Sequence, residues 1–260
     1  MIYISQLISD EELKDLTSKY HTGVELVDFS IGMNLDELKT CLNDWKKRLD
    51  AMGNPPLTLH GPFLDLNPVS YDSMVAQATW NRFSQTYEAA KILGAGKIVY
   101  HTCRVPAICY LTMWPERMAE FWNAFLQEHN DIPVAVENVF DEAPEPIAQF
   151  ASRIEHSHFS LCLDVGHAHC FSDVPLEQWL KVLSPWISHL HLHDNHGQRD
   201  EHLPLGAGSL SLEELIAFLP SLDKLDSIVL ENTSIKDCRQ SLDFILQLLL
   251  QHSVYAAKDR

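Results

Sequence analysis

The chain has 260 residues, of which 46% are hydrophobic and 21% are charged, a composition typical of a globular enzyme with a large core. Its formal net charge at pH 7 is −17, and the summed field of so acidic a protein repels the phosphate backbone of nucleic acids. These values disfavour nucleic acid as a partner and favour a small-molecule substrate.

The sequence contains no feature of a membrane or secreted protein. No apolar run approaches the roughly 18 residues that a membrane span requires, and the first residues lack the basic and apolar regions of a signal peptide. The six cysteines fall at irregular spacings without a Cys-x-x-Cys pair, which favours reduced thiols over disulfides. We therefore expect a cytoplasmic protein without a membrane partner. Nothing in the sequence indicates an oligomeric state.

Short runs rich in β-branched residues alternate with longer segments of helical periodicity along the chain. Strands are predicted at 2–6, 24–29, 57–60, 97–101, 133–137, 160–164, 187–191 and 227–231. Helices are predicted between them at 10–20, 34–52, 71–93, 113–129, 144–155, 175–184, 211–219 and 236–251. Ser9 and Ser211 are candidate helix caps because acidic residues follow both, and Gly94 is a candidate helix end.

Eight strand–helix units in strict alternation predict an α/β fold, a single (β/α)8 TIM barrel over residues 1–260. An open doubly wound sheet is the second interpretation. It lacks the glycine-rich dinucleotide turn, because Gly94-Ala95-Gly96 precedes a strand instead of following one. In a TIM barrel the active site lies at the carboxyl ends of the strands, so the residues there are the functional candidates.

Six consecutive predicted strands end in a residue that can bind a divalent metal ion. These residues are His60, His101, Glu137, Asp164, His191 and Glu231. Imidazoles and carboxylates that converge on one point repel one another or lose hydration unless a cation lies between them. The following loops add His167 and the pair Asp200 and His202, whose spacing suits chelation. The pattern predicts a divalent metal site at the carboxyl ends of the strands.

Several motifs resemble those of the xylose isomerase-like TIM barrels, a superfamily that includes endonuclease IV and the sugar phosphate isomerases and epimerases. The matching segments are His60-Gly61-Pro62, Tyr100-His101, Val136-Glu137-Asn138, Leu163-Asp164-Val165-Gly166-His167-Ala168, His191-Leu192-His193-Asp194, 200–208 and Leu230-Glu231-Asn232-Thr233. They extend from the third predicted strand to the eighth.

The resemblance implies one of two metal sites. In the isomerases and epimerases one Mn, Co or Mg ion is bound by four ligands, which here would be Glu137, Asp164, His191 and Glu231. In endonuclease IV three zinc ions are bound by nine ligands, which here would be His60, His101, Glu137, Asp164, His167, His191, Asp200, His202 and Glu231. All nine positions hold the matching residue type. The expected cofactor is a divalent metal (Zn, Mn, Co or Mg), with one to three ions per chain.

Three functions are compatible with this site. In an isomerase or epimerase, Glu137 and Glu231 would transfer a proton to and from a carbon of a sugar or sugar phosphate, and His167 would hold a substrate hydroxyl. In a hydrolase, two or three ions would bind a phosphoester and activate water. The third interpretation is a non-catalytic barrel that binds metal or sugar.

Charge and ligand number favour different functions. Residues 5–9 and 30–35, which correspond to DNA-probing loops of endonuclease IV, contain no Arg or Lys. Together with the acidic composition, this favours a small polyol substrate and thus the isomerase or epimerase. The complete set of nine ligands favours the hydrolase. Weighing both, we expect a metal-dependent sugar (phosphate) isomerase or epimerase, with the phosphoesterase and the non-catalytic barrel as alternatives.

Further residues near the predicted site are candidates for contact with the substrate or for lining the pocket. Arg104 and Arg199 follow strand ends, and either one would clamp a substrate phosphate or carboxylate, or else balance the acidic rim in a salt bridge. His193 is a third candidate for substrate contact. We interpret His189 as a surface or packing residue. Glu25 and Asp28 lie in the second predicted strand, from which one of them could reach the site, but neither is assigned to it. Phe63 is a candidate to line the pocket.

The catalytic lysine of true xylose isomerases has no counterpart among these residues. Lys97 opens its predicted strand, so we expect it at the opposite end of the barrel. A xylose isomerase that shifts a hydride is therefore disfavoured.

Overall fold

In the computed structural model, eight parallel strands close into a barrel in which neighbours in sequence pair with each other and β8 pairs with β1. The structure describes the backbone of residues 1–256 and the side chains of residues 1–248. The strands are β1 (Ile2–Ser5), β2 (Gly23–Leu26), β3 (Leu57–His60), β4 (Ile98–His101), β5 (Val134–Glu137), β6 (Phe159–Asp164), β7 (Ile187–Leu192) and β8 (Ser227–Leu230). The predicted TIM barrel is confirmed.

Helices connect the strands and surround the barrel. They are α1 (Asp10–Tyr20), α2 (Gly32–Asp36), α3 (Leu38–Met52), α4 (Ser73–Leu93), α5 (Trp114–Glu128), α6 (Glu145–Ala151), α7 (Val165–Phe171), α8 (Leu176–Leu183), α9 (Leu212–Phe218) and α10 (Ile235–Ala256). Trp45 of α3, Trp122 of α5 and Trp179 of α8 are almost fully buried, so large side chains attach the helices to the barrel. Within residues 1–256, no helix combines the length and the apolar character needed to cross a membrane.

Two predicted helix ends are confirmed. The Ser9 hydroxyl accepts a hydrogen bond from the backbone N–H of Glu12, and the Glu12 carboxylate accepts one from the backbone N–H of Ser9. This reciprocal pair satisfies two donors at the start of α1. At the end of α4, Gly94 adopts the left-handed conformation with φ 74°, which a glycine enters without steric cost.

Three helix predictions are wrong. The segment predicted as one helix at 34–52 forms α2 and α3, because Glu37 has φ −105° and ψ 36° between them. The helix α7 was not predicted; it begins where the Asp164 carboxylate accepts a hydrogen bond from the backbone N–H of His167 at 2.7 Å. Ser211 makes no side-chain capping hydrogen bond at the start of α9.

The strand limits also differ by a few residues. β2 ends at Leu26, because residues Asp28–Ser30 form a 3-10 turn. β7 continues to Leu192 and β8 ends at Leu230. His191 therefore lies one residue before the end of its strand, and Glu231 lies one residue after the end of its own. Both remain at the carboxyl end of the barrel.

Alternation along the strands directs the candidate ligands inward. Val99, Ala135 and Cys162 form a small buried cluster of their own. The residues two positions later on the same strands are His101, Glu137 and Asp164. Side chains two residues apart lie on the same face of a strand, so these ligands form the next layer toward the carboxyl ends.

Lys97 lies at the opposite end of the barrel, as its place in the sequence predicts. Its Nζ donates hydrogen bonds to Asp226 Oδ1 at 2.6 Å and to Ser188 Oγ at 2.8 Å. Burial lowers the pKa of Lys97, while Asp226 acts in the opposite direction. The lysine is therefore held by hydrogen bonds at the amino-terminal end of the barrel, outside the layer of candidate ligands.

Candidate metal centre

The structure brings all nine candidate metal ligands together at the carboxyl ends of the strands. Each has a nitrogen or oxygen within 3.4 Å of such an atom of another candidate. Seven are buried, and Asp200 and His202 lie at the edge, where their side chains are 28% and 23% exposed. We describe them as three groups, which the following paragraphs define.

The first group consists of His60, His101 and Glu137. Nε2 of His60 lies 3.0 Å from Nε2 of His101, and each nitrogen lies 3.3 Å from Oε2 of Glu137. Two ligands of a tetrahedral zinc ion with bonds near 2.1 Å are about 3.4 Å apart, so the triangle is close to the size of one face of that tetrahedron. Nδ1 of His60 donates to the carbonyl oxygen of Gly61 at 2.9 Å, which leaves the lone pair of Nε2 directed at the group.

The second group surrounds His191. Its Nδ1 lies 3.4 Å from Oε1 of Glu137, 3.4 Å from Oε1 of Glu231 and 3.9 Å from Oδ2 of Asp164. Three carboxylates thus meet one imidazole inside the barrel. Since Oε2 of Glu137 belongs to the first group and Oε1 to the second, this carboxylate connects the two groups.

The third group consists of His167, Asp200 and His202. Oδ2 of Asp200 lies 3.3 Å from Nε2 of His167 and 3.1 Å from Nε2 of His202. Nδ1 of His167 donates to the carbonyl oxygen of Asn138 at 3.0 Å, and Nδ1 of His202 donates to that of Glu231 at 2.6 Å. As in the first group, the backbone orients the rings so that Nε2 faces the carboxylate.

The unpaired polar atoms of the site fit divalent cations. Oε2 of Glu137, Oδ2 of Asp164 and Nδ1 of His191 are buried without a hydrogen-bond partner. Buried polar atoms normally have a partner, and a buried carboxylate cluster requires positive charge. Imidazole nitrogens and carboxylate oxygens are ligands that zinc and similar divalent ions prefer. The donor set and its spacing therefore match metal ions of this class.

Electrostatic interactions separate the two candidate catalytic glutamates. Burial opposes ionisation of Glu137, but His191 and His101 hold its pKa well below the usual value. For Glu231, burial raises the pKa, His191 lowers it, and the nearby Asp164 and Glu137 raise it further, with a net increase. These interactions favour the charged form of Glu137, whereas Glu231 takes up a proton more readily.

Glu25 lies beside the candidate ligands, although it was not among the site residues predicted from the sequence. Its side chain is fully buried, with Oε1 3.0 Å from Nε2 of His191. Oε2 accepts a hydrogen bond from the Thr58 hydroxyl at 2.8 Å and lies 3.2 Å from Nε2 of His189. Burial opposes its ionisation, but His191 and His189 hold the pKa of Glu25 well below its usual value. His189 is accordingly a partner of this carboxylate and more than a packing residue.

A signal for Glu25 was present in the sequence. It is the charged residue of β2 and pairs in register with Ser5 on one side and Thr58 on the other. A charge inside a strand that is buried at all four positions needs a partner in the interior. His191 and His189 share one strand face because they are two residues apart.

Replacing Glu25 with glutamine is expected to weaken zinc binding about 10- to 100-fold, because a carboxylate behind a histidine ligand orients the ring and increases its basicity. Competition with a fluorescent chelator measures the affinity. The matched control is Thr58→Val, which removes the other hydrogen bond of the carboxylate without touching His191. We expect a smaller effect from this control. Equal zinc affinity in Glu25→Gln and the unaltered protein would contradict the role of Glu25.

The three residues predicted from the sequence for substrate contact differ in their burial and in their contacts. His193 is fully buried, with Nε2 3.3 Å from Oδ1 of Asp164, and its ring stacks on His202 with centroids 4.1 Å apart. Arg104 is buried between Asp141 at 3.6 Å and Glu142 at 3.3 Å, a salt-bridge arrangement. Arg199 is exposed in the loop before Asp200. Their contact with substrate stays a prediction.

A cavity of 550 Å³ lies above the ligands and gives access to them. Seven candidate ligands line it: His60, His101, Glu137, His167, Asp200, His202 and Glu231. Phe63 lines the cavity as well, and its ring stacks on His101 with centroids 4.3 Å apart. We call this space the metal cavity. A small molecule in it reaches all three ligand groups.

Comparison with known proteins agrees with this architecture. The sequence profile of the xylose isomerase-like TIM barrel matches residues 21–248 of the chain. A probable endonuclease 4 of Mycobacterium ulcerans is 26% identical over 180 residues, which are 65% of this chain and 70% of that protein.

Two solved structures resemble the whole chain. The TTHB071 protein from Thermus thermophilus, soaked with ZnCl2, has a TM-score of 0.77 at 26% identity, over 95% of this chain and 97% of that one. A D-tagatose 3-epimerase-like protein has a TM-score of 0.80 at 22% identity, over 98% of this chain and 99% of that one. At 22% identity the second likeness concerns the fold.

Proposed function

The chain belongs to the xylose isomerase-like TIM barrel family, and on the basis of its ligand geometry we propose that it hydrolyses small phosphoesters with two or three divalent metal ions. The observation that carries this proposal is the double contact of Glu137. Its Oε2 faces the first ligand group and its Oε1 faces the second. A carboxylate with both oxygens in ligand positions is suited to hold two ions close together.

The third ligand group supports the same chemistry. A single-ion isomerase does not need His167, Asp200 and His202 as ligands, yet their donor atoms are spaced like those of the first group. The similarity to a probable endonuclease 4 also favours a phosphoester. When bound, metal ions in such a cluster polarise a phosphoryl oxygen and activate water for attack at neutral pH.

The protein's own groups position and protonate the reactants. Backbone carbonyls fix the rings of His60, His167 and His202, so that a substrate meets a preorganised surface. Glu231 lines the metal cavity, and its raised pKa suits proton exchange. Its Oε1 faces His191, which leaves Oε2 to take a proton from the attacking water or give one to the leaving oxygen.

A sugar isomerase or epimerase is the second candidate. Oxygens of Glu137 and Glu231 both lie 3.4 Å from Nδ1 of His191, so two neighbouring carboxylates are available for a proton transfer of this kind. A D-tagatose 3-epimerase-like protein shares the fold. The third ligand group, which such a single-ion enzyme does not require, favours the hydrolase.

His202→Ala distinguishes the two candidates. In a hydrolase with three ligand groups, this variant should lose about one ion per chain and at least about 90% of its activity on bis(4-nitrophenyl) phosphate. Elemental mass spectrometry of protein purified without chelator gives the metal content. The matched control is His196→Ala in the same loop, which removes an exposed imidazole paired with Glu201. One ion per chain, full activity of His202→Ala and epimerisation of D-tagatose would instead support the second candidate.

A further inference from the structure

The walls of the metal cavity are apolar outside the ligand groups. Leu7, Val27, Val139, Phe140 and Phe171 line it together with Phe63. The polar wall residues besides the ligands are three hydroxyl side chains, Ser5, Ser30 and Thr233. No Lys or Arg is among the described residues that line it. A polyol would place several hydroxyl groups against hydrocarbon, and burying an unpaired hydroxyl costs about 1–3 kcal/mol.

A second cavity of 490 Å³ adjoins the metal cavity. It lies between the loop that follows β3 and the loop that follows β4, and we call it the side cavity. Four residues line both cavities: Phe63, His101, Val139 and Phe140. Because His101 is a candidate ligand, the side cavity begins directly beside the first ligand group.

The side cavity is also lined mainly by apolar side chains. Leu64, Val105 and Ile108 line it and are exposed, and Tyr71 from the first loop lies beside them. Single exposed apolar residues are ordinary, but several around one concave surface indicate a binding site. This surface lies next to the ligands, so a substrate bound there is in reach of the metal centre.

The charge of Arg104 is already neutralised. The guanidinium lines the side cavity but lies within 3.6 Å of Asp141 and 3.3 Å of Glu142. Arg104 is therefore not free to bind a phosphate or a carboxylate group of a ligand in the side cavity. Apart from Asp65 and Asn67, the side cavity offers a ligand mainly apolar and aromatic surface.

We propose that the substrate carries a large apolar group, aromatic or alicyclic, which occupies the side cavity while the reacting ester lies over the ligand groups. This inference rests on the proposed phosphoester chemistry and specifies its substrate class. The metal centre binds the anionic part, and the two loops select the apolar part. A bare sugar phosphate leaves the side cavity without a complementary group.

Binding of two phosphonates tests the inference without requiring turnover. Methylphosphonate and 4-biphenylphosphonate present the same anion to the zinc-loaded protein but differ in apolar surface. Isothermal titration calorimetry should give a dissociation constant at least about tenfold lower for the biphenyl compound. Ile108→Asp should remove most of this preference and leave the affinity for methylphosphonate unchanged.

Tyr110→Asp is the matched control, because Tyr110 is in the same loop as Ile108, both side chains are 79% exposed and only Ile108 lines the side cavity. Equal affinity for the two phosphonates would overturn the inference, and so would equal effects of the two variants. If no phosphoester is hydrolysed but the preference exists and depends on Ile108, the proposed function fails and the side cavity stands. If phosphoesters are hydrolysed but the two phosphonates bind equally well, the proposed function stands and the inference about the side cavity fails.

Discussion

Glu137→Gln is expected to lower kcat/KM for phosphoester hydrolysis by about a thousandfold, which corresponds to about 4 kcal/mol of transition-state stabilisation, because the variant loses a carboxylate shared by two ligand groups. The amide cannot place a negatively charged oxygen in both the first and the second ligand group. We therefore also expect the metal content to fall by at least one ion per chain. Steady-state kinetics and elemental mass spectrometry measure the two effects on the same preparation.

The matched control for this prediction is Glu142→Gln. Glu142 follows the same strand, but its side chain is exposed and contacts Arg104 instead of the ligand groups. This variant should keep its metal and its activity. If the Glu137→Gln protein keeps its full metal content and its kcat/KM, the proposed role of this connecting carboxylate is refuted.

Gly166→Ala is expected to destabilise the protein by about 2–4 kcal/mol, because the added methyl group has no space. A Cβ at this position would lie 2.0 Å from Cε1 of His193. The His193 ring is fully buried and stacks on His202, so it cannot move aside without disturbing the third ligand group. Thermal unfolding of the metal-free protein measures the loss without a contribution from bound ions.

Two further variants show whether His193 causes this effect. Gly32→Ala adds the same methyl group at the start of α2, where no atom lies within 4 Å, and should leave the melting temperature nearly unchanged. The double variant Gly166→Ala with His193→Ala should recover part of the stability lost in the single variant, because it removes the clashing ring. A double variant whose loss equals the sum of the two single losses would contradict the clash.

The ligand positions were predictable because their chemistry and their strand phase agree. Parallel strands of a barrel bring their carboxyl ends together, so His60, His101, Glu137 and Asp164 meet wherever the exact strand limits fall. A shift of one residue, as for His191 and Glu231, changes only the distance from the strand end. These candidates could therefore be found without knowing which strands are neighbours in the barrel.

Other features depend on contacts that the sequence does not display. Glu25 joins the site through His191, which is far away in the chain and meets it only when the barrel closes. The break between α2 and α3 has neither glycine nor proline at Glu37. The short α7 begins because Asp164, itself a candidate ligand, also caps the helix. The side cavity depends on how two loops fold over the barrel, and local patterns do not encode that arrangement.

Most candidate ligands and most residues of the side cavity belong to different parts of the fold, and this has an evolutionary consequence. Most candidate ligands are at strand ends, held by the barrel ladder, whereas the side cavity is formed largely by the loops after β3 and β4. Substitutions or insertions in those loops can accumulate without moving a strand. A lineage can thus change the shape of the side cavity while it keeps the same candidate ligands, and divergence in this protein should be concentrated in residues 61–72 and 102–113.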